Sequence, residues 1–222
     1  MTTIVLLARH GQSDWNASRR WQGHADRPLT EKGREQARAL AARLAHIDLD
    51  AVYSSDLQRA AETARAVADA QGLEVVELPG LREVDVGSWS GLTRAEAEAR
   101  FPEGFARWKE GYPGWDDGES YEAMTERVLS TVLRIARDHE GGRTLVVSHG
   151  GPIRAIHAAA LGLDVHAYRR MRPVEPNARL SAVCVAEDAL TELCPASEID
   201  ALIERDQAER RAAATQPPTP AG

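Results

Sequence analysis

The run Ile4-Val5-Leu6-Leu7-Ala8 restricts the architecture of this chain more than any other feature. Five consecutive apolar residues, without the polar alternation of a half-wet strand, are the pattern of a strand buried on both faces. Such a strand needs apolar cover above and below, and the rest of the sequence offers helices in alternation with further strands. Residues 30–45 place Ala37, Leu40, Ala41 and Leu44 at helical spacing behind Thr30 as N-cap. Residues 51–54 form a second strand, leading into a helix from about 55 or 56 to 70 that Gly72 ends. Residues 73–78 give a third strand. Ser120 caps a long helix with Met124, Val128, Val132 and Ile135 on one face. Residues 143–148 form the next strand, and a helix runs from the Gly150-Gly151 turn to about 161. Residues 180–186 and 190–194 make a closing hairpin at a sheet edge. The alternation predicts an α/β fold: a doubly wound, mostly parallel sheet with helices on both faces.

At 222 residues the chain is read as a single domain over 1–205, with a disordered tail expected over 206–222, its end rich in Ala, Pro and Thr. Between the third strand and the long helix a doubly wound fold can carry an inserted helical cap, here roughly 86–119. Seven of the 11 aromatic residues fall in or beside it, from Trp89 to Tyr121. They can glue small helices together or line the mouth of a substrate site, and the sequence leaves both open.

Thirty-four acids stand against 27 bases, for a formal net charge of -7. With no long basic run, the balance argues against a nucleic-acid partner. A small anionic ligand would need a local concentration of cations. The N-terminus reads as a strand, not a signal peptide, and no stretch approaches the roughly 20 apolar residues that span a bilayer. Cys184 and Cys194 are expected to be reduced thiols, and no ligand cluster beside them suggests a metal site. A cytoplasmic protein without a membrane partner is the expectation.

Chemistry-bearing residues stand at strand ends. The first strand closes in Arg9-His10-Gly11, the fourth in Ser148-His149-Gly150-Gly151, and Arg59 falls in the first turn of the helix after the second. Ligands of doubly wound sheets gather at the carboxyl ends of the strands. An imidazole is a competent nucleophile toward phosphorus, and a guanidinium fork matches phosphate oxygens. Arg9, His10, Arg59 and His149 are therefore expected to converge.

Arg9-His10-Gly11-Gln12-Ser13-Asp14-Trp15-Asn16 resembles the opening signature of the histidine phosphatase superfamily, which includes the cofactor-dependent phosphoglycerate mutases. The similarity continues through Gln22-Gly23, Asp26, Leu29-Thr30, Gly33, Ser54-Ser55-Asp56-Leu57, Arg59-Ala60, Glu62-Thr63-Ala64, Leu81-Arg82-Glu83, Gly87 and Ser148-His149-Gly150. The resemblance implies that His10 becomes a phosphohistidine. Arg9, Arg59 and His149 would hold the phosphoryl oxygens, with Asn16, Gln22, Gly23 and Gly150 as further binding residues. Glu83 would protonate the leaving oxygen and later assist water. No metal or organic cofactor is implied. Dimerisation is common among similar proteins, while nothing in this sequence marks an interface.

Several positions depart from the mutase pattern. Val86 replaces a tyrosine, Lys109-Glu110 a paired arginine and Gly151 an asparagine, although Arg94 aligns with a substrate lysine. The cap is also shorter than in mutases. Asp116-Asp117-Gly118-Glu119-Ser120 resembles a stretch common among the phosphatases, and its acids are expected near the mouth, where they would disfavour a highly charged anion. The expectation is a histidine acid phosphatase-type phosphohydrolase, a phosphomonoesterase acting on a small phosphorylated metabolite. The alternatives are phosphoglycerate mutase-type transfer and a non-catalytic phosphate-binding module. The module would be expected to have lost His10 or Glu83, and both are present.

Overall fold

A computed structural model describes residues 1–193 and the isolated positions 199, 201, 204 and 208. Six strands form one sheet: β1 (Thr3–Arg9), β2 (Ala51–Ser54), β3 (Val75–Glu77), β4 (Arg143–Ser148), β5 (Leu180–Ala186) and β6 (Ala189–Leu193). Their order is β3-β2-β4-β1-β5-β6, with the first four parallel and the β5–β6 hairpin antiparallel at the edge. Eight helices accompany them among the described residues: α1 (Asp14–Ala17), α2 (Glu31–Leu44), α3 (Gln58–Gln71), α4 (Arg94–Arg100), α5 (Pro102–Lys109), α6 (Tyr121–Asp138), α7 (Gly150–Ala160) and α8 (Val165–Met171). This is the expected α/β architecture.

The continuous apolar run of β1 is explained by two separate cores. Val5 and Leu7 pack with Val146, Val183, and the α6 and α7 residues Val128, Val132, Ile153 and Ile156. Leu6 and Ala8 point the other way, into Leu145 and Val147 and the α2 and α3 residues Leu40, Leu44, Ala64 and Val67. Because side chains alternate along a strand, a run wet on neither face must be apolar throughout.

The helix that follows β1 covers one face and the helix that follows the adjacent β4 covers the other. Their connections diverge, opening a crevice at the carboxyl ends of the two strands. Register then decides what meets there. Arg9 lies opposite Ser148 in the parallel pairing, so the next residues, His10 and His149, leave the sheet side by side.

Some boundaries moved. α3 begins at Gln58 because Ser55 to Leu57 bend the chain, with the Leu57 N–H donating to Ser55 Oγ at 3.2 Å. Its first N–H donates to Asp26 Oδ1 at 2.7 Å, a cap from 32 residues away that local pattern could not reveal. β3 shortens to three residues, and α7 begins at Gly150 itself. The short helices α1 and α8, held by side-chain caps from Ser13 and Asp164, were not anticipated. Cys184 is a half-buried free thiol, while Cys194 and, but for Ala208, the tail expected over 206–222 lie outside the described residues. Among the described residues no helix is long and apolar enough to cross a membrane.

The segment between β3 and α6 carries single turns at Pro79–Leu81 and Gly87–Trp89 and then α4 and α5. Trp89 is fully buried at its centre, ringed by Trp21, Phe101, Phe105 and Trp115 at centroid separations of 5.3 to 6.4 Å. Most of the cap aromatics therefore act as glue. Trp108, Trp115 and Tyr121, joined by Trp21, also wall the cavity below.

Candidate active site

A cavity of about 1070 Å³ opens at the carboxyl ends of β1 and β4, between the cap and α7–α8. Its lining includes Arg9, His10, Asn16, Gln22, Gly23, Arg59, Glu83 and Gly150. His149 is fully buried, its ring centroid 5.0 Å from that of His10. The four side chains expected to converge do so, because three strand ends meet at one edge of the sheet.

His10 Nδ1 donates to the Gly11 carbonyl at 2.7 Å. That bond leaves Nε2 as the unprotonated nitrogen, toward the cavity. Burial first, then the Arg59 and Arg9 charges, hold the His10 pKa well below its ordinary 6.5. The same order of causes, with His10 itself contributing, depresses His149. Arg59 is entirely buried, and its guanidinium donates to the carbonyls of Ala25 and Gly23 at 2.8 and 2.9 Å. Desolvation draws its pKa down to about 10, so it stays charged at neutral pH. Arg9 donates to the Glu175 carbonyl at 2.6 Å.

What these groups lack is as informative as what they have. Arg9 Nε, Arg59 Nε and both ring nitrogens of His149 are buried without a hydrogen-bond partner. An unsatisfied buried polar group costs about 1–3 kcal/mol, so orphans this concentrated mark a ligand position. Their charge and geometry suit a tetrahedral anion. Among the described residues, no group of three or more His, Cys, Asp or Glu side chains is placed to hold a metal ion.

The comparisons with known proteins agree with this arrangement. The histidine phosphatase superfamily (branch 1) matches residues 5–194. The chain belongs to that superfamily. Phosphoserine phosphatase 1 of Hydrogenobacter thermophilus is 37% identical over 163 residues, covering 72% of this chain and 77% of its own. A probable phosphoglycerate mutase, GpmB, of an Enterobacter species is 37% identical over 184 residues, 76% and 79% of the two chains. Among solved structures, a mycobacterial glucosyl-3-phosphoglycerate phosphatase in complex with VO3 superposes with a TM-score of 0.77 at 31% identity, over 85% of this chain and 95% of that one. Family membership makes phosphoryl transfer of the phosphatase kind the chemistry of this fold.

Within the family frame, Glu83 is half-buried. Its Oε1 accepts from the backbone N–H of Gly151 and of Val84, both at 3.0 Å. Gly151 leaves room for this carboxylate, since an added Cβ would lie 2.3 Å from Glu83 Oε1. The asparagine of the mutase pattern could not stand here without displacing the carboxylate. Asn16 Oδ1 accepts from Ser13 N and from Asn177 Nδ2, both at 3.1 Å, and Gln22 accepts from Ser13 Oγ at 2.7 Å.

Gly11, just beyond β1, is set by packing. Its backbone N–H goes to Thr63 Oγ1 at 3.0 Å, and a Cβ would sit 2.4 Å from the Gly33 carbonyl oxygen. The glycine admits the start of α2, not a ligand.

The expected acidic mouth is also overturned. Asp116 pairs with Arg107, Asp117 accepts from the Ser88 N–H and hydroxyl, and Glu119 pairs with Arg127. None of the three lines the cavity, where among the described residues Glu83 is the one acid beside ten Arg and Lys side chains. Net charge had concealed this segregation.

Arg127, which sequence reasoning passed over, organises the loop bearing Glu83. It donates to the carbonyls of Gly80, Arg82 and Glu83 at 2.8 to 3.1 Å while Glu119 holds its other edge at 2.6 Å. Ser148 Oγ donates to the Leu81 carbonyl and His24 Nε2 to the Glu83 carbonyl, each at 2.8 Å. Glu83 is thus fixed relative to the end of β4. The only sequence signal was the Gly118-Glu119-Ser120 stretch, about two helical turns before Arg127.

Proposed function

We propose that this chain is a phosphomonoesterase that passes the phosphoryl group of a small phosphorylated metabolite through His10 to water. The cluster of unpartnered buried donors on Arg9, Arg59 and His149 around the His10 ring carries the reading. A phosphoryl group seated there satisfies them and faces Nε2. His10 Nε2 attacks phosphorus as the ester P–O bond breaks, and Glu83 gives its proton to the departing alcohol oxygen. Glu83, now ionised, takes a proton from water as that water attacks the phosphohistidine, releasing inorganic phosphate and restoring neutral His10. Guanidiniums and His149 stabilise the charge gathered on the equatorial oxygens, where most catalysis of phosphoryl transfer lies. No step calls for a metal.

Mutase-type transfer is the second reading, favoured by the GpmB relative and by Arg94 in the cavity wall. Hydrolysis has more support. The cavity edge at 170–174 is exposed, giving water a path to the phosphoenzyme, and Val86 and Gly151 leave the closed mutase pattern.

Phosphate release measured with a chelator present, for wild type and His10→Ala, tests the proposal. Release that persists with chelator and vanishes in the variant is expected, with an acid-labile phosphohistidine trapped on the wild type. Release that survives the substitution, or that the chelator abolishes, refutes it. Isomerised product from 3-phosphoglycerate without free phosphate would favour the mutase.

A further inference from the structure

The cations of the cavity wall are not equivalent. On the cap side, Arg20 pairs with Glu96 at 3.0 Å, Lys109 lies 3.5 Å from Glu98, and Arg94 rests over the Trp108 ring at 4.6 Å. Each has an occupation that does not need a ligand. The opposite wall, built by α7 and α8, differs. Arg154 and Arg169 are both half-buried cavity residues, and among the described residues neither has a carboxylate in ion-pair contact.

Their hydrogen bonds leave most of the two forks unused. Arg154 donates once, to the Arg172 carbonyl at 2.9 Å, and its buried Nε has no partner. Arg169 donates weakly to the Gly111 carbonyl at 3.3 Å and lies 3.8 Å above the Tyr121 ring centroid. Each lies within electrostatic reach of Glu83, as do Arg9 and Arg59 on the floor, and the charge of Arg169 also opposes that of Arg154. Holding two like charges in a partly desolvated wall is unfavourable unless an anion completes the set. The fork of a guanidinium matches carboxylate and phosphate oxygens alike.

We propose that Arg154 and Arg169 form a second anion subsite, so that the substrate is a phosphomonoester bearing a further carboxylate or phosphate. The proposal rests on the phosphatase reading above. With the phosphoryl group on the floor, the second anion lies across Glu83 on the α7–α8 wall. The cap cations, at the positions that alignment with mutases would favour, stay with their present partners.

The experiment compares kcat/KM within two matched pairs. Glycerol 3-phosphate against 3-phosphoglycerate isolates a carboxylate, and glucose 6-phosphate against fructose 1,6-bisphosphate isolates a phosphate. Wild type is expected to prefer the more anionic member of one pair at least tenfold, and which pair shows the preference identifies the anion. Arg169→Gln and Arg154→Gln should each cut that preference about tenfold or more, with Arg169→Lys recovering part of it. A wild type that releases phosphate but discriminates within neither pair overturns the subsite and leaves the phosphatase standing, a result that requires no variant to fold. Variants that keep the full preference also overturn it. A wild type that releases phosphate from none of the four and traps no phosphohistidine removes both proposals.

Discussion

The floor of the cavity and its mouth are both rich in cations, yet they hold them by different means. On the floor, Arg59 is wholly buried with two of its nitrogens tied to the carbonyls of Gly23 and Ala25, and His10 is tied to Gly11. These bonds come from backbone, so they orient the groups without neutralising them. In the mouth, half-buried Arg20 and exposed Lys109 meet carboxylates at the surface. Such pairs contribute about 0–1 kcal/mol each and weaken with salt. A buried, unneutralised donor set can be aimed at a transition state in advance, whereas the exposed set can be exchanged with little consequence for folding. On the proposed reading the reaction chemistry belongs to the first region, and the cap-side cations of the second are free to vary.

The contrast predicts graded effects. His10→Ala should lower phosphate release by about 10⁴-fold or more, measured at saturating substrate. A loss below tenfold would mean that the floor is not where the bond is made. Glu83→Gln should reduce turnover about 10²–10⁴-fold. With 4-nitrophenyl phosphate, whose leaving group needs no proton, the phosphoenzyme should accumulate in this variant, and its absence in a rapid-quench experiment would remove Glu83 from the hydrolytic step.

Gly151→Asn and Arg127→Lys probe the support of Glu83 without touching the nucleophile. Each is expected to cost roughly ten- to a hundredfold in kcat with KM changing little, the scale of misplacing a catalytic group. An equal rise in KM would mean that the loop positions substrate instead of the acid.

The depressed His10 and His149 also predict a pH dependence of stability. Unfolded histidines titrate near 6.5, while these bind protons only at lower pH in the folded chain. The unfolded state therefore binds more protons below 6.5. Stability should be flat above that value and fall as pH drops toward the folded pKa values, by at most about 1.4 kcal/mol per pH unit for each imidazole. Melting temperatures from pH 8 to 5 would show it, and His10→Ala should flatten the slope. An unchanged slope would place the acid sensitivity elsewhere.

The smallest effect is expected in the mouth. Arg94→Ala, removing the contact over Trp108, should change KM only a few-fold and stability by less than about 1 kcal/mol. A larger loss in a melting curve would show the mouth to be structural after all.

Much of this arrangement was legible in one dimension. Periodicity located β1, β4, α2 and α6 because burial on a strand or helix face repeats locally, and Thr30 and Ser120 cap their helices through contacts three residues away. Strand-end position was enough to bring His10 beside His149, since parallel pairing of the two preceding strands leaves the following residues adjacent. The orientation of polar side chains off the regular elements was not legible. Asp116, Asp117 and Glu119 turned to Arg107, Ser88 and Arg127, Asp26 capped a helix distant in sequence, and Arg154 and Arg169 have no ion-pair partner among the described residues. An apolar face is specified by its own repeat, but an ion pair is a choice among many long side chains that only the closed fold brings within reach.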